Sequence, residues 1–167
     1  MADHASLDLA PGVRVVWDDL DEVRASLAAE EPVANWRFEG ELGSGYSALR
    51  VLSGATEKGT LLLLSSLRPH DADGHDAENP QALIVKRSGE VTGFEEALVS
   101  TQYAASGAIE RVGLEFYAEG DDYPLRGAGD VRGLSASDEG SVRRERAALD
   151  FRLDGEPGAA VLEILHA

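Results

Sequence analysis

The sequence predicts an all-β protein, an antiparallel barrel that is closed or nearly closed, with one short helix near the N-terminus. Several segments alternate apolar and polar residues with a period of two, and glycine-containing turns separate these segments at short spacing. Only one segment has helical periodicity, so the crossover helices that a doubly wound α/β sheet needs are missing. Together these observations favour a barrel or a strongly curled sheet.

The N-terminal part of the chain contains the predicted helix. Residues 1–12 are small or polar, end in Pro11-Gly12 and are expected to form a flexible leader; residues 13–167 are then expected to form a single β-barrel domain. Residues 13–17 are β-prone. Residues 18–30 predict a helix, because acidic residues occupy its first turn and one face carries an apolar stripe of Leu20, Val23 and Leu27.

Short strands separated by glycine are predicted for the rest of the chain. The alternation is clearest at residues 112–118 and 147–153, and hairpin turns are predicted at residues 87–90 and 154–155. The predicted strands cover residues 36–42, 46–53, 60–67, 81–87, 95–103, 108–118, 124–133, 145–153 and 158–166.

Two of these strands are apolar on both faces, Leu61–Leu64 and Val161–Leu165. Strands of this kind are buried on both sides, so a helix or a partner subunit, as in a homodimer, is expected to cover the outside of the barrel. The interior of a barrel of about eight strands is either filled by side chains or holds one small ligand.

The charge balance excludes several classes of partner. The chain has 31 acidic and 15 basic residues and a net charge of -16, so it repels nucleic acid and anionic lipid, and we expect neither as a partner. It contains no cysteine, which excludes thiolate metal sites and a cysteine nucleophile. Residues 1–4 lack the basic and apolar regions of a signal peptide, and no apolar run approaches the length of a membrane helix, so a cytoplasmic location is expected.

Residues 69–80 contain the densest group of potential metal ligands, namely His70, Asp71, Asp73 and His75. The Asp-x-Asp-Gly pattern is similar to a calcium loop, but a third alternating acid and a bidentate glutamate are both missing. The alternatives are a solvated loop between two strands and a transition-metal site. We expect a solvated loop and therefore no metal and no cofactor.

Glu163 is the first candidate catalytic residue. It interrupts an apolar strand and shares a face with Val161 and Leu165. A carboxyl group that points into an apolar interior is a candidate general acid. The alternatives are that it pairs with an arginine on a neighbouring strand, such as Arg146 or Arg152, or that it lies in water at the mouth of the barrel.

Further candidates alternate with apolar residues on other predicted strands. Asp150 is a second candidate acid if its face lines the cavity, and Glu41 is a third. The alternative for both carboxylates is a position on a solvated outer face. Tyrosines are also candidates, and the alternative for each of them is a core position with its hydroxyl group in contact with water. The residues expected to contact substrate are Tyr46, Arg50, Tyr103, Tyr117, Arg146 and Arg152.

The end of the chain resembles a known group of proteins. Residues 153–163, with a glycine-rich turn leading into a final strand that carries Glu163, resemble the closing hairpin of the lipocalin-like superfamily that includes carotenoid hydratases of the hydroxyneurosporene-synthase type. Residues 36–40 are compatible with an opening strand of the same fold. The resemblance implies a single-barrel version of that fold, an isoprenoid-like or polyketide-like ligand, and acid–base chemistry without a cofactor, in which Glu163 takes part.

Two functions are therefore expected as alternatives. In the first, the barrel is an isomerase, cyclase, hydratase or lyase that transfers a proton on a small, largely apolar substrate. In the second, the same cavity only binds and carries such a molecule. We favour the enzyme, because carboxylates recur inside apolar strands of this sequence.

Overall fold

The computed structural model describes residues 3–29, 35–40, 45–69, 79–118, 120 and 123–166. Within these ranges the chain forms one helix and twelve strands, which confirms the all-β class. In chain order they are β1 (Ala5–Ala10), β2 (Val13–Trp17), α1 (Leu20–Leu27), β3 (Arg37–Glu39), β4 (Tyr46–Thr56), β5 (Leu61–Pro69), β6 (Gln81–Val85), β7 (Val91–Gly93), β8 (Glu96–Tyr103), β9 (Ile109–Tyr117), β10 (Leu125–Glu139), β11 (Val142–Leu153) and β12 (Glu156–His166).

Nine strands form one antiparallel sheet in the order β7-β6-β5-β4-β12-β11-β10-β9-β8. The sheet curls, so that Ala82 and Ile84 of β6, near one edge, belong to the same apolar cluster as Ala97 of β8 at the other edge. Phe94 and Phe116 pack in this cluster with ring centres 5.2 Å apart. The predicted nearly closed barrel is confirmed, and its two edges are β7 and β8.

The outer face of the barrel is covered by the chain's own N-terminal segment. The leucines of β5 alternate, since Leu62 and Leu64 belong to the inner cluster whereas Leu61 and Leu63 belong to the outer one. The outer cluster is shared with the small sheet β1-β2-β3 and with α1, which contribute Val15, Trp17, Leu20, Val23 and Leu27. This arrangement explains why β5 is apolar on both faces.

The expectation of a flexible leader at residues 1–12 is wrong for residues 5–10. These residues form β1, which pairs with β2 through partners such as Ala5 and Trp17. Pro11-Gly12 is the turn between the two strands, and Gly12 has a φ of 76°, which favours glycine. Residues 5–10 form a strand because Leu7 anchors them: its side chain is 5% exposed and packs in the outer cluster.

The helix lies where the sequence predicts it, but it is shorter than residues 18–30. Asp19 is the N-cap, and its carboxylate accepts a hydrogen bond from the backbone N–H of Glu22 at 3.1 Å. Asp18 lies before the helix and accepts a hydrogen bond from Arg37 Nε at 2.8 Å. The described parts of the chain contain no helix that is long and apolar enough to span a membrane.

The final strand lies in the middle of the large sheet. The predicted turn at residues 154–155 is confirmed, with Asp154 and Gly155 at φ values of 50° and 82°, and it directs β12 back along β11. On its other side β12 pairs with β4. Gly158 lies so close to β4 that an added Cβ atom would overlap with the backbone oxygen of Ala55.

Candidate functional site

A cavity of about 530 Å³ lies at one end of the barrel, bordered by the ends of β5, β8, β9 and β12 and by the β10–β11 hairpin. Its apolar wall is made of Ile109, Leu134, Ala147, Leu162 and Ile164. Its polar wall includes Arg68, Tyr103, Arg143, Glu145 and His166. The volume and the mostly apolar surface, interrupted by polar groups, are typical of small-molecule sites.

A second cleft, of about 700 Å³, lies on the outer face of β8–β11. It is larger and more open to solvent than the inner cavity, and small residues such as Gly113 and Ala128 form part of its floor. Of the inner apolar cluster, Leu114 and Val99 are the members that contribute to its walls. The inner cavity is therefore the better candidate for a ligand of defined shape.

Strand register brings a carboxylate and an imidazole together in the inner cavity. Glu145 of β11 lies opposite Ile164 of β12, and His166 follows two residues later on the same face. Residues placed diagonally in this way are within reach of long side chains. Glu145 Oε2 lies 3.5 Å from His166 Nε2, and Glu145 Oε1 lies 3.6 Å from Arg143 Nε.

The Nε2 atom of His166 is buried and has no hydrogen-bond partner among the described residues. A buried polar atom of this kind is costly unless a ligand or water satisfies it. Beside a carboxylate, an imidazole is the usual side chain for proton transfer near neutral pH. The geometry of Glu145 and His166 is therefore that of an acid–base pair at the border of the cavity.

Glu163 does not point into the cavity, contrary to the first expectation. It lies opposite Arg146 on the outer face of the sheet and is 1% exposed. Its Oε2 lies 2.6 Å from Arg144 Nη1 and 3.6 Å from Arg146 Nη2, and its Oε1 accepts a hydrogen bond from Trp36 Nε1 at 3.2 Å. The alternative in which Glu163 pairs with arginines of the neighbouring strand is what the structure shows, with Arg144 rather than Arg152 as the nearest partner.

Asp150 and Arg152 also lie on the outer face, away from the cavity. Asp150 is opposite Ala159, and its side chain is 72% exposed, with Arg132 Nη1 at 3.8 Å. Arg152 Nη1 donates a hydrogen bond to the backbone oxygen of Gly155 at 3.3 Å. Asp150 therefore lies on a solvated outer face, which is the alternative given for it in the sequence analysis. Glu41 lies outside the described residues.

The tyrosines and the remaining arginines divide between the two faces. Tyr46 packs against the outer cluster, and Tyr117 donates a hydrogen bond to Glu115 Oε2 at 2.8 Å on the outer face. Tyr103 borders the cavity, and so does Arg146, but the guanidinium of Arg146 lies on the outer face beside Glu163. Arg50 is buried on the inner face opposite Ile164, and its Nε donates to Ser66 Oγ at 3.3 Å.

Neither Glu145 nor His166 is among the candidates predicted from the sequence. The available signal is that His166 continues the alternation of Leu162 and Ile164, so it shares their face. Its nearness to Glu145 depends on the register of β11 with β12. The segment considered for metal binding falls largely outside the described residues, which hold no cluster of three or more histidine or carboxylate side chains.

Comparison with known proteins shows the fold. No protein-family model and no curated protein matches the sequence. The structure is similar to the crystal structure of kievitone hydratase from Nectria haematococca, with a TM-score of 0.54 and 12% sequence identity over 83% of this chain and 46% of that one. The likeness confirms the lipocalin-like fold. The chain spans less than half the length of that hydratase.

Proposed function

We propose that this protein is a cofactor-independent enzyme that transfers a proton on a small, largely apolar substrate, as an isomerase, cyclase, hydratase or lyase. The observation that carries the proposal is the pair Glu145–His166, 3.5 Å apart, in a cavity of about 530 Å³ with an apolar wall. The fold likeness to a protein named as a hydratase is in keeping with this class of reaction.

Each part of the cavity has a role in such a reaction. The apolar wall holds the substrate and excludes water, while Glu145 and His166 remove a proton from one substrate atom and deliver one to another. Tyr103 and Arg143 on the same lining supply hydrogen-bond donors for negative charge that develops on the substrate. Glu163 supports the outer layer and has no part in proton transfer.

The test is solvent exchange catalysed by the purified protein in D2O. Unsaturated isoprenoid alcohols and polyketide-like phenols are supplied, and products are followed by mass spectrometry, because isomerisation, cyclisation and hydration each introduce deuterium from solvent. Glu145→Gln and His166→Gln should each lower the rate by roughly 10²–10⁴-fold, the usual contribution of a general acid or base. Asp150→Asn, on the exposed outer face, is the matched control and should keep the rate.

A carrier function is the second candidate, because most of the wall that would touch a ligand is apolar. In that case compounds bind with no deuterium incorporated, and Glu145→Gln leaves affinity unchanged. This result would contradict the enzyme proposal and support carriage. Deuterium incorporation that survives in both Glu145→Gln and His166→Gln would show that the acid–base pair is wrongly assigned.

A further inference from the structure

The charge of the cavity lining is opposite to the charge of the chain. The protein has about twice as many acidic as basic residues and a net charge of -16. In the lining, by contrast, the inward-facing Arg68 and Arg143 accompany a single carboxylate, Glu145, together with His166, while the guanidinium of Arg146 lies beside Glu163 on the outer face. Charges farther away than about 8 Å are largely screened at physiological ionic strength, so a ligand in the cavity experiences mainly this local positive charge.

The basic residues Arg143, His166 and Arg68 lie in one row across the sheet, and Asp138 of β10 continues this row opposite Arg143. Directly opposed residues of neighbouring strands share a face, and the pairs Arg143–His166, His166–Ala48 and Ala48–Arg68 follow one another across four strands. Strands lie about 4.8 Å apart, so the row spans about 14 Å. It lies at the end of the sheet where the cavity opens.

The next row of the inner face is still polar, and the row after it is apolar. Two residues further along each strand, the row is Ser66, Arg50, Ile164 and Glu145. Two residues beyond that, every member is apolar: Leu64, Leu52, Leu162, Ala147 and Leu134. The cavity therefore has a charged mouth, where two lining arginines and His166 accompany Glu145, and an apolar floor along the same axis.

From this gradient we infer that the ligand is an amphiphile, with an apolar body on the Leu162–Ala147 side and one anionic group, such as a carboxylate, at the Arg143–His166 row. The inference rests on the proposed function in one respect, since it takes the inner cavity as the binding site. An anion accepts charge-assisted hydrogen bonds from Arg143 and His166, and these are stronger than neutral ones.

Two fluorescent probes test the inference on the full chain. 8-Anilinonaphthalene-1-sulfonate and N-phenyl-1-naphthylamine have the same ring systems and differ by the sulfonate. The anionic probe should bind more tightly, and only its affinity should fall as NaCl is raised. Arg143→Gln should weaken it roughly three- to tenfold, the effect of a partly exposed charge, and leave the neutral probe unchanged.

Control variants show whether the two probes bind in the inner cavity. Arg132→Gln removes an exposed arginine outside the cavity and should change neither affinity. Ala136→Trp fills the cavity from an exposed lining position and should weaken both probes, whereas Ser137→Trp, on the opposite face of the same strand, should weaken neither. Arg143 is 58% exposed, so its substitution leaves the fold intact, which thermal unfolding verifies.

The outcomes separate this inference from the proposed function. Equal affinity for both probes, lost in Ala136→Trp but unaffected by Arg143→Gln and by salt, would overturn the anionic ligand and leave the cavity as a binding site. Binding that is insensitive to Ala136→Trp, or no binding of either probe, would overturn both. Selective, salt-dependent binding of the anionic probe that requires Arg143 supports the inference.

Discussion

Glu163 Oε2 and Arg144 Nη1 lie 2.6 Å apart beneath the indole of Trp36, in a layer between the barrel and its N-terminal cover. The Arg144 guanidinium is also 5.5 Å from the centre of the Trp36 ring, within the range of a cation–π contact. The cluster joins β11 and β12 to the segment that precedes β3. It therefore links the two sheets through charges as well as through apolar packing.

Glu163→Gln should destabilise the fold by about 3 kcal/mol, because it leaves Arg144 and Arg146 without their shared counter-charge. We expect the lower end of the range for buried ion pairs, since both arginines retain some exposure to water. Urea unfolding measures the change. Affinity of the cavity for the neutral probe should be unchanged, because Glu163 lies on the other face of the sheet.

A double-mutant cycle isolates the Glu163–Arg144 pair. Arg144→Met combined with Glu163→Gln should cost less than the sum of the single changes, with a coupling of at least about 1 kcal/mol. Additive costs would show that the two charges do not stabilise each other.

Gly158→Ala should destabilise the protein by about 3 kcal/mol or more, because the new methyl group meets the backbone of β4, which cannot move without breaking the sheet. Gly133→Ala is the matched control on a strand, since nothing lies within 4 Å of its added Cβ atom. Thermal unfolding of the two variants should differ clearly. Similar melting temperatures would mean that β12 and β4 are farther apart than described.

Leu7→Ala should cost about 2–4 kcal/mol, the usual effect of truncating a buried leucine. Leu98→Ala, on an edge strand and 47% exposed, should cost far less. Chemical denaturation provides both values. Equal small effects would restore the expectation that residues 1–12 are a flexible leader.

Tyr117 should ionise later than an ordinary tyrosine as pH rises. The hydrogen bond to Glu115 raises the pKa of Tyr117 above 10.0, the ordinary value for a tyrosine. Because the folded-state pKa exceeds the unfolded value, this contribution to stability is complete below the unfolded pKa and is lost as pH rises through the folded one.

The tyrosinate absorbance of the four tyrosines measures this ionisation. The part of the absorbance change that occurs at the highest pH is expected to come from Tyr117. Glu115→Gln should move this part to lower pH, and Tyr117→Phe should remove it. A late component that persists in Tyr117→Phe would belong to another tyrosine.

The sequence was sufficient for the fold class and for the face shared by Val161, Glu163 and Leu165, since period-two alternation depends only on neighbours along the chain. It could not show which face of that strand is inside, because Leu162 and Ile164 are apolar as well. The barrel interior and the outer layer both bury apolar side chains. The two faces of this strand are therefore equally apolar in the sequence, and the pattern does not determine whether Glu163 faces the cavity or the outer layer.

The site itself depends on contacts that no local pattern contains. Glu145 and His166 come together only because β12 pairs with β11 in one register, and a shift by one residue would place them on opposite faces. In the same way, β1 is stabilised by contacts of Leu7 with strands much later in the chain. In the sequence, Pro11-Gly12 resembles the end of a leader; the pairing of β1 with β2 shows that it is the turn between two strands.

The central position of β12 has a consequence for how the chain folds during synthesis. Every other strand of the large sheet leaves the ribosome before β12. The edges of β4 and β11 that pair with β12 therefore stay unpaired until β12 has been synthesised. Pairings between residues so far apart in the chain form slowly, and exposed edges in the meantime invite aggregation. The nascent protein should thus depend on chaperones until its final hairpin, residues 142–166, inserts and joins the two halves of the sheet.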